Sequence, residues 1–270
     1  MKFENFSYAY DFSIKNIVFA SQMCHKHILK LIGCCLETIV PVLVFEPLVN
    51  YGTLKDHICR YYGSHFESLS WKQRLKISVE IANAFAYLHV GFPRPIVYSL
   101  MSSSQFLLDE NCVPKLFDFS HAECIPEGET QIKDTEIRGH LGYLAPEHVL
   151  KKVLDERCDV FGFGSLLLEL LTGQGLVEFF DSSARKYGDR YVETKDVDWL
   201  WKFMKKINEN NRFVEIVDPI IVGDGLSPEI EQKLKVFAQL AAKCQSYSAE
   251  DRPTMIDVAK QLRQLYLSAT

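Results

Sequence analysis

The stretch Asp159 to Gly173, DVFGFGSLLLELLTG, constrains the fold more than any other. It is apolar almost all round, so as a helix it has no polar face to offer to water and must lie buried in a core. It ends at Gly173, a residue suited to closing a helix. The rest of the chain has to supply that core, and helical patterns recur along it. SWKQRLKISVEIANAFAYLH (70–89) opens on Ser70 as an N-cap and repeats apolar residues at Leu75, Val79, Ala82, Phe85 and Leu88. SPEIEQKLKVFAQLAAKCQ (227–245) starts at a Ser-Pro pair, a favourable helix opening. TMIDVAKQLRQLYL (254–267) has Thr254 followed three residues later by Asp257, which resembles a capping box. VDWLWKFMKKI (197–207) has an amphipathic pattern.

The N-terminal part reads differently. IKNIVFASQMC (14–24) carries helical spacing and predicts a short helix. ILKLIGCCLE and PVLVFEPL, within 28–48, are apolar stretches divided by a turn and predict paired strands. SHAECIPEGETQIKDTEIRGH (120–140) has no periodicity and is long for a connection, which marks it as functional or mobile. The expected class is therefore α+β, with a small strand-containing part and a larger helical part.

Composition removes several function classes. A net charge of −5 and a pI near 5.9, with no basic run, argue against a nucleic-acid binder. The longest apolar runs, VPVLVF (40–45) and FGFGSLLLELL (161–171), fall far short of a membrane span, so no transmembrane segment is expected. The opening MKFENFSYAYDF lacks a signal-peptide core, and Lys2 stands where N-myristoylation needs glycine. A cytoplasmic location is the expectation. The eight cysteines (24, 34, 35, 59, 112, 124, 158, 244) include no C-x-x-C pair and are read as reduced, small hydrophobes. Of the eight histidines, only His25 and His27 approach a pair, and no second pair accompanies them.

The stretch IVYSLMSSSQFLLDEN (96–111) raises the functional question. Two short apolar strands brace a serine-rich turn, a common mount for catalytic groups. The turn nevertheless offers Tyr98, Ser99, Leu100, Ser102 and Gln105, with no carboxylate, lysine or histidine. Other landmarks follow in order: KLFDFS (115–120), GHLGYLAPEH (139–148), ERCDVFGFGSLLLELLTG (156–173) and EDRPTM (250–255).

Together these landmarks resemble the eukaryotic protein kinases, and among them the plant receptor-like kinases. KLFDFS is similar to the metal-binding D-F-G element, Ala145-Pro146-Glu147 to the A-P-E motif, and EDRPTM to the late arginine motif. LKLIGCCLE and PVLVFEPL resemble strands four and five, with the hinge following at Glu46. The resemblance implies a bilobal kinase-like fold in one domain over 1–270. Residues 1–50 would form a partial small lobe from about strand three, and residues 51–270 the large lobe.

On that resemblance 96–111 is the catalytic loop, which reads H-R-D-x-K-x-x-N in active members. Tyr98 stands for the histidine, Ser99 for the arginine, Leu100 for the aspartate, Ser102 for the lysine and Gln105 for the asparagine. Phosphoryl transfer rests on positioning and charge neutralisation. Leucine cannot orient the attacking hydroxyl or accept its proton, and losing a general base costs about 10²–10⁴-fold. Neutral Ser102 cannot offset phosphoryl charge, Gln105 holds its amide oxygen one methylene further out, and Ser99 removes the usual receiver of an activation-loop phosphate. The first glycine is Gly33, so no G-x-G-x-x-G phosphate loop is present. Lys2 is placed at the nucleotide-contacting lysine, its usual glutamate partner falls on Asn16, and Asp118 is retained as one magnesium ligand.

What remains for a cofactor is residual: Lys2, Glu46 and Asp118 for weak ATP, and Asp118 for weak magnesium, with none required. Glu147, Asp159 and Arg252 are read as structural; in this fold Glu147 and Arg252 make a buried ion pair. The segments ASQMCHKHILKLIGCCLE (20–37), the serine-rich loop and GHLGYLAPEH are similar to the ZED-related group of inactive plant kinases. That likeness implies an adaptor or decoy rather than an enzyme. Its expected partners are a nucleotide-binding leucine-rich-repeat (NLR) immune receptor, receptor-like cytoplasmic kinases or pathogen effectors, which would hold it at the plasma membrane peripherally. Residues 120–140, with Thr130, Thr135 and Arg138, are the interaction or modification candidates. A weak or unconventional serine/threonine protein kinase is the alternative.

Overall fold

The computed structural model describes residues 2–49, 51–58, 68–179, 213–223 and 225–268. The amphipathic pattern over 197–207 lies outside the described residues. The chain opens with helix α1 (Lys2–Ala20) and a two-stranded antiparallel sheet, β1 (Leu31–Cys35) and β2 (Val42–Phe45). A short helix α2 (Leu54–Ile58) and the long α3 (Trp71–Val90) follow. Short strands β3 (Ile96–Val97), β4 (Phe106–Leu108), β5 (Pro114–Leu116) and β6 (Glu123–Cys124) then form two small ladders, β3 with β6 and β4 with β5. Helices α4 (Pro146–Lys151), α5 (Glu156–Thr172), α6 (Pro228–Cys244) and α7 (Met255–Ser268) complete the body.

α5 is the axis, as its all-round apolar surface requires. All its residues from Cys158 to Thr172 are buried. Asp155 caps its start by accepting from the Arg157 backbone, and Gly173 closes it at φ +66°, a left-handed turn that favours glycine. α6 comes so close at Gly164 that an added Cβ would meet Gln245 Cγ at 2.7 Å and the Ala241 carbonyl at 2.9 Å. Ser70 and Gln73 form a full capping box on α3, and Ser227 caps α6. At α7 Thr254 accepts from the Asp257 backbone and donates to its carboxylate at 2.7 Å.

Two N-terminal expectations are corrected. The helix expected over 14–24 runs from Lys2 to Ala20, and no strand precedes it among the described residues, so the start at about strand three does not hold. The physical reason is the spacing of Ala9, Phe12, Ser13, Asn16 and Ala20, which places them on one face that is half-buried or buried. Lys2 is consequently the first residue of a helix. The cysteine reading also needs adjustment. All seven described thiols are free, but Cys24, Cys34, Cys35 and Cys124 are exposed instead of serving as core hydrophobes.

Residues 120–140 are tied down at several points. The Arg94 guanidinium donates to the Ile125 carbonyl at 3.1 Å, the Glu129 carbonyl at 2.8 Å and the Pro126 carbonyl. Ile132 exchanges backbone bonds of 2.8 and 2.9 Å with Leu154. β6 adds the pairing with β3.

Candidate functional site

The loop after β3 is fixed from below by α5. Asp159, almost wholly buried, accepts from the backbone of Tyr98 at 2.8 Å and Ser99 at 2.9 Å, and its carboxylate also meets His89 Nε2 at 3.0 Å. Gripped this way, Ser99 takes φ +59°, a left-handed conformation that is uncommon for serine. Its hydroxyl donates to the His121 carbonyl at 2.9 Å. The Tyr98 ring is fully buried, edge-on to Phe85 at 5.5 Å and Phe119 at 5.9 Å. Burial, then the nearby Asp118 and Asp159 carboxylates, push its phenol well above the usual range, and its hydroxyl finds no hydrogen-bond partner.

Beyond Tyr98 the loop folds onto itself. Leu100 packs against the main core. Ser102 accepts from the Ser104 backbone at 3.3 Å, and the two hydroxyls lie 2.9 Å apart. A 3₁₀ turn over Ser103–Gln105 leads into β4, and Gln105 Oε1 is buried with no partner. The five positions Tyr98, Ser99, Leu100, Ser102 and Gln105 are thus brought together, and the polar bonds they make are internal.

Asp118 stands across from this loop. Its Oδ1 accepts from Asn16 Nδ2 at 3.4 Å and from the Ser120 backbone at 2.9 Å. Asn16 Oδ1 in turn accepts from the Phe119 backbone at 3.1 Å. The Asn16 amide therefore grips both the Asp118 carboxylate and the Phe119 backbone N–H, a role the sequence reading missed because it matched Asn16 with Lys2. An asparagine on the half-buried face of α1 was the available signal. Glu46 is placed elsewhere: its carboxylate lies 3.5 Å from Lys115 Nζ and accepts from the Lys30 backbone at 3.3 Å.

Further contacts join α1 to the segment after Asp118. Lys15 pairs with Glu123, and Phe12 packs its ring against His121 at 4.9 Å and under the Arg138 guanidinium at 5.3 Å. Arg138 also pairs with Glu136. Thr135 donates to the Lys152 carbonyl at 3.1 Å, whereas Thr130 is exposed.

The C-terminal brace is bidentate. Arg252 Nη1 and Nη2 donate to Glu147 Oε1 and Oε2 at 2.6 and 2.8 Å. Burial opposes ionisation of Glu147, but the Arg252 bonds and charge prevail and hold its pKa below the ordinary value. Glu147, Asp155 and Cys158 bring ligand atoms within 4.8 Å of one another. This is a poor metal set: Arg252 already occupies both Glu147 oxygens, and burial drives the Cys158 thiol well up, keeping it protonated. A second buried pair, Arg74 Nη2 to Asp218 Oδ2 at 2.5 Å, was not anticipated, and its signal was an arginine amid the apolar face of α3.

The profile of the protein tyrosine and serine/threonine kinase family matches residues 9–262. Wall-associated receptor kinase 3 of Arabidopsis thaliana is 37% identical over 258 residues, 95% of this chain and 32% of its own length. A probable inactive receptor-like protein kinase of the same plant is 35% identical over 252 residues, 90% of this chain and 63% of that protein. The Arabidopsis non-functional pseudokinase ZRK2 is likewise 35% identical, over 92% of this chain and 66% of its own length. The chain thus spans about a third of the length of wall-associated receptor kinase 3.

Proposed function

Since this chain belongs to the protein tyrosine and serine/threonine kinase family, we propose that it is an inactive member which works by binding other proteins. The observation that carries this reading is the pairing of an intact scaffold with a loop that has no group to move a proton. Asp159 and the Glu147–Arg252 pair hold the kinase-like shape, while Leu100, at the place of the base, is half-buried against the core.

We read the residues present as a poor fit for a magnesium-nucleotide, with one oxygen of Asp118 left over as a ligand. Magnesium takes oxygen ligands in near-ideal octahedral geometry. Asp118 spends Oδ1 on Asn16 and Ser120, Gln105 Oε1 is buried, and Glu46 is paired with Lys115. Lys2 is the first residue of α1 and does not stand on a strand.

In its specific form the proposal is an adaptor or decoy that pairs with an NLR immune receptor in plant defence. Receptor-like cytoplasmic kinases or pathogen effectors would dock on residues 120–140. Support comes from the likeness to two Arabidopsis proteins described as inactive or non-functional. Among the described residues no helix is long and apolar enough to cross a membrane. The proposed location is cytoplasmic, with peripheral membrane attachment through partners.

A weak serine/threonine kinase is the second reading, favoured by the retained Asp118 and the likeness to wall-associated receptor kinases. Co-purification from plant cells, paired with thermal shift against magnesium-ATP, separates the two. An immune receptor recovered with no nucleotide-dependent shift supports the adaptor. A clear shift and no immune receptor or kinase partner would sink it.

A further inference from the structure

The antiparallel pair β1–β2 is packed on one side only. Leu31, opposite Phe45, and Cys34, opposite Leu43, share one face, and Leu31 and Phe45 rest on the main core. The other face carries Val42 opposite Cys35 and Val44 opposite Gly33, and all four are exposed. Ile32, at the irregularity between Leu31 and Gly33, is exposed as well, and so are Leu36 and Ile39 in the connection between the strands. These five aliphatic side chains keep 47% to 76% of their surface. Gly33 leaves a dimple among them, since nothing lies within 4 Å of where a Cβ would stand.

Between Leu31 and Phe45 the only charged residue is Glu37. The exposed aliphatic area is roughly 400–500 Å², the size of the largest apolar patch on a typical monomer, and such patches mark contact surfaces. Charge decides what fits it. An uncharged patch gives a basic or acidic peptide nothing to pair with. Anionic lipid is disfavoured by the net charge of −5 and by Glu37 beside the patch. A second copy brings an uncharged patch of the same shape, and a two-fold axis sets each patch on its own equivalent. Face to face, the two withdraw about 800–1,000 Å² from water, close to the lower bound for a specific interface, which suits a reversible dimer.

We propose that the outer face of β1–β2 is an interface between two copies of this chain, with Ile32, Val42 and Val44 of one packed on the same residues of the other. No residue of the loop after β3 takes part, so the inference is independent of whether the chain is catalytically silent. Cys35 stands on the packed face beside Val42, whereas Cys124, also exposed, stands on β6. The free Cys35 thiol therefore reports which face meets the second copy.

The test is sedimentation velocity of the whole chain under reducing conditions, from about 1 to 100 μM, a range that brackets a reversible dimer. The mass should rise with concentration from the 31.0 kDa of one chain toward twice that value. Val44→Lys should weaken dimerisation about tenfold, because it carries a charge into the packed face. Ile39→Lys should act likewise and serves if the melting curve of the first variant departs from the parent's. Val90→Lys, at an exposed apolar position at the end of α3, should change nothing. A short bismaleimide should join two parent chains, fail with Cys35→Ser and succeed with Cys124→Ser. A monomer at every concentration, or a dimer as tight in Val44→Lys and Ile39→Lys as in the parent, overturns the proposal. So does flotation of the parent with phosphatidylcholine vesicles without self-association, which would give the face to lipid.

Discussion

Replacing Arg252 by methionine should destabilise the fold more than any surface change. The Arg252 side chain is fully buried, and Glu147 is 12% exposed. Besides its two bonds to Glu147, Arg252 donates to the carbonyls of Ser246 at 2.8 Å, Arg157 at 2.9 Å and Tyr247 at 3.3 Å. Its guanidinium also lies 5.0 Å from the Phe161 ring centroid. Methionine fills much of the volume but leaves a carboxylate uncompensated and removes the donor from three carbonyls. Breaking one side of such a buried pair costs about 3–5 kcal/mol. At about 2–4 °C per kcal/mol, Arg252→Met should lower the melting temperature by roughly 6–20 °C. Circular dichroism melts at pH 7 measure it. The double variant Glu147→Leu/Arg252→Met removes both charges and should recover most of the loss, because apolar replacement of a buried pair is often neutral. A drop of under about 2–4 °C in Arg252→Met would show a pair worth no more than a surface one, and would refute the bracing argument.

The same pair sets an acid limit. The Glu147 pKa is lowered from 4.5, so its stabilisation is fully present above pH 4.5 and is lost as pH falls through the folded value. Acid titration of stability should therefore fall more steeply below pH 4.5 in the parent than in the double variant. Asn16→Ala releases the Phe119 amide, which should exchange about fivefold faster with deuterium, the effect of roughly 1 kcal/mol; an unchanged rate would show that Asn16 is no clamp. Tyr98→Phe deletes a buried hydroxyl with no partner and should raise stability by about 1 kcal/mol, a gain of about 2–4 °C; a loss would mean the hydroxyl is satisfied after all.

The large helical part was legible because its signals are local. Ser70, Ser227 and Gly173 mark helix ends by capping chemistry, and the spacing of Leu75, Ala82, Phe85 and Leu88 marks a buried face. The turn between β3 and β4 could be read for the same reason, since two apolar strands bracket it. α1 could not be bounded, because its inward face mixes Ala9, Ser13 and Asn16 with apolar residues, and a count of hydrophobic spacing passes over them. The Asn16 clamp on Asp118 and the packing of Phe12 on His121 depend on contacts between residues about a hundred positions apart. No pattern within either segment announces them.

The inactive adaptor proposed above is a kinase-like scaffold that would transfer no phosphate. Purified protein should be incubated with γ-labelled ATP, magnesium and a generic acceptor, beside Asp118→Ala and the triple variant Leu100→Asp/Ser102→Lys/Gln105→Asn. No label above the Asp118→Ala background is expected in the parent, and none in the triple variant, because Asn16 still holds Asp118 and Glu46 stays paired with Lys115. Incorporation by the parent that disappears in Asp118→Ala would contradict that proposal.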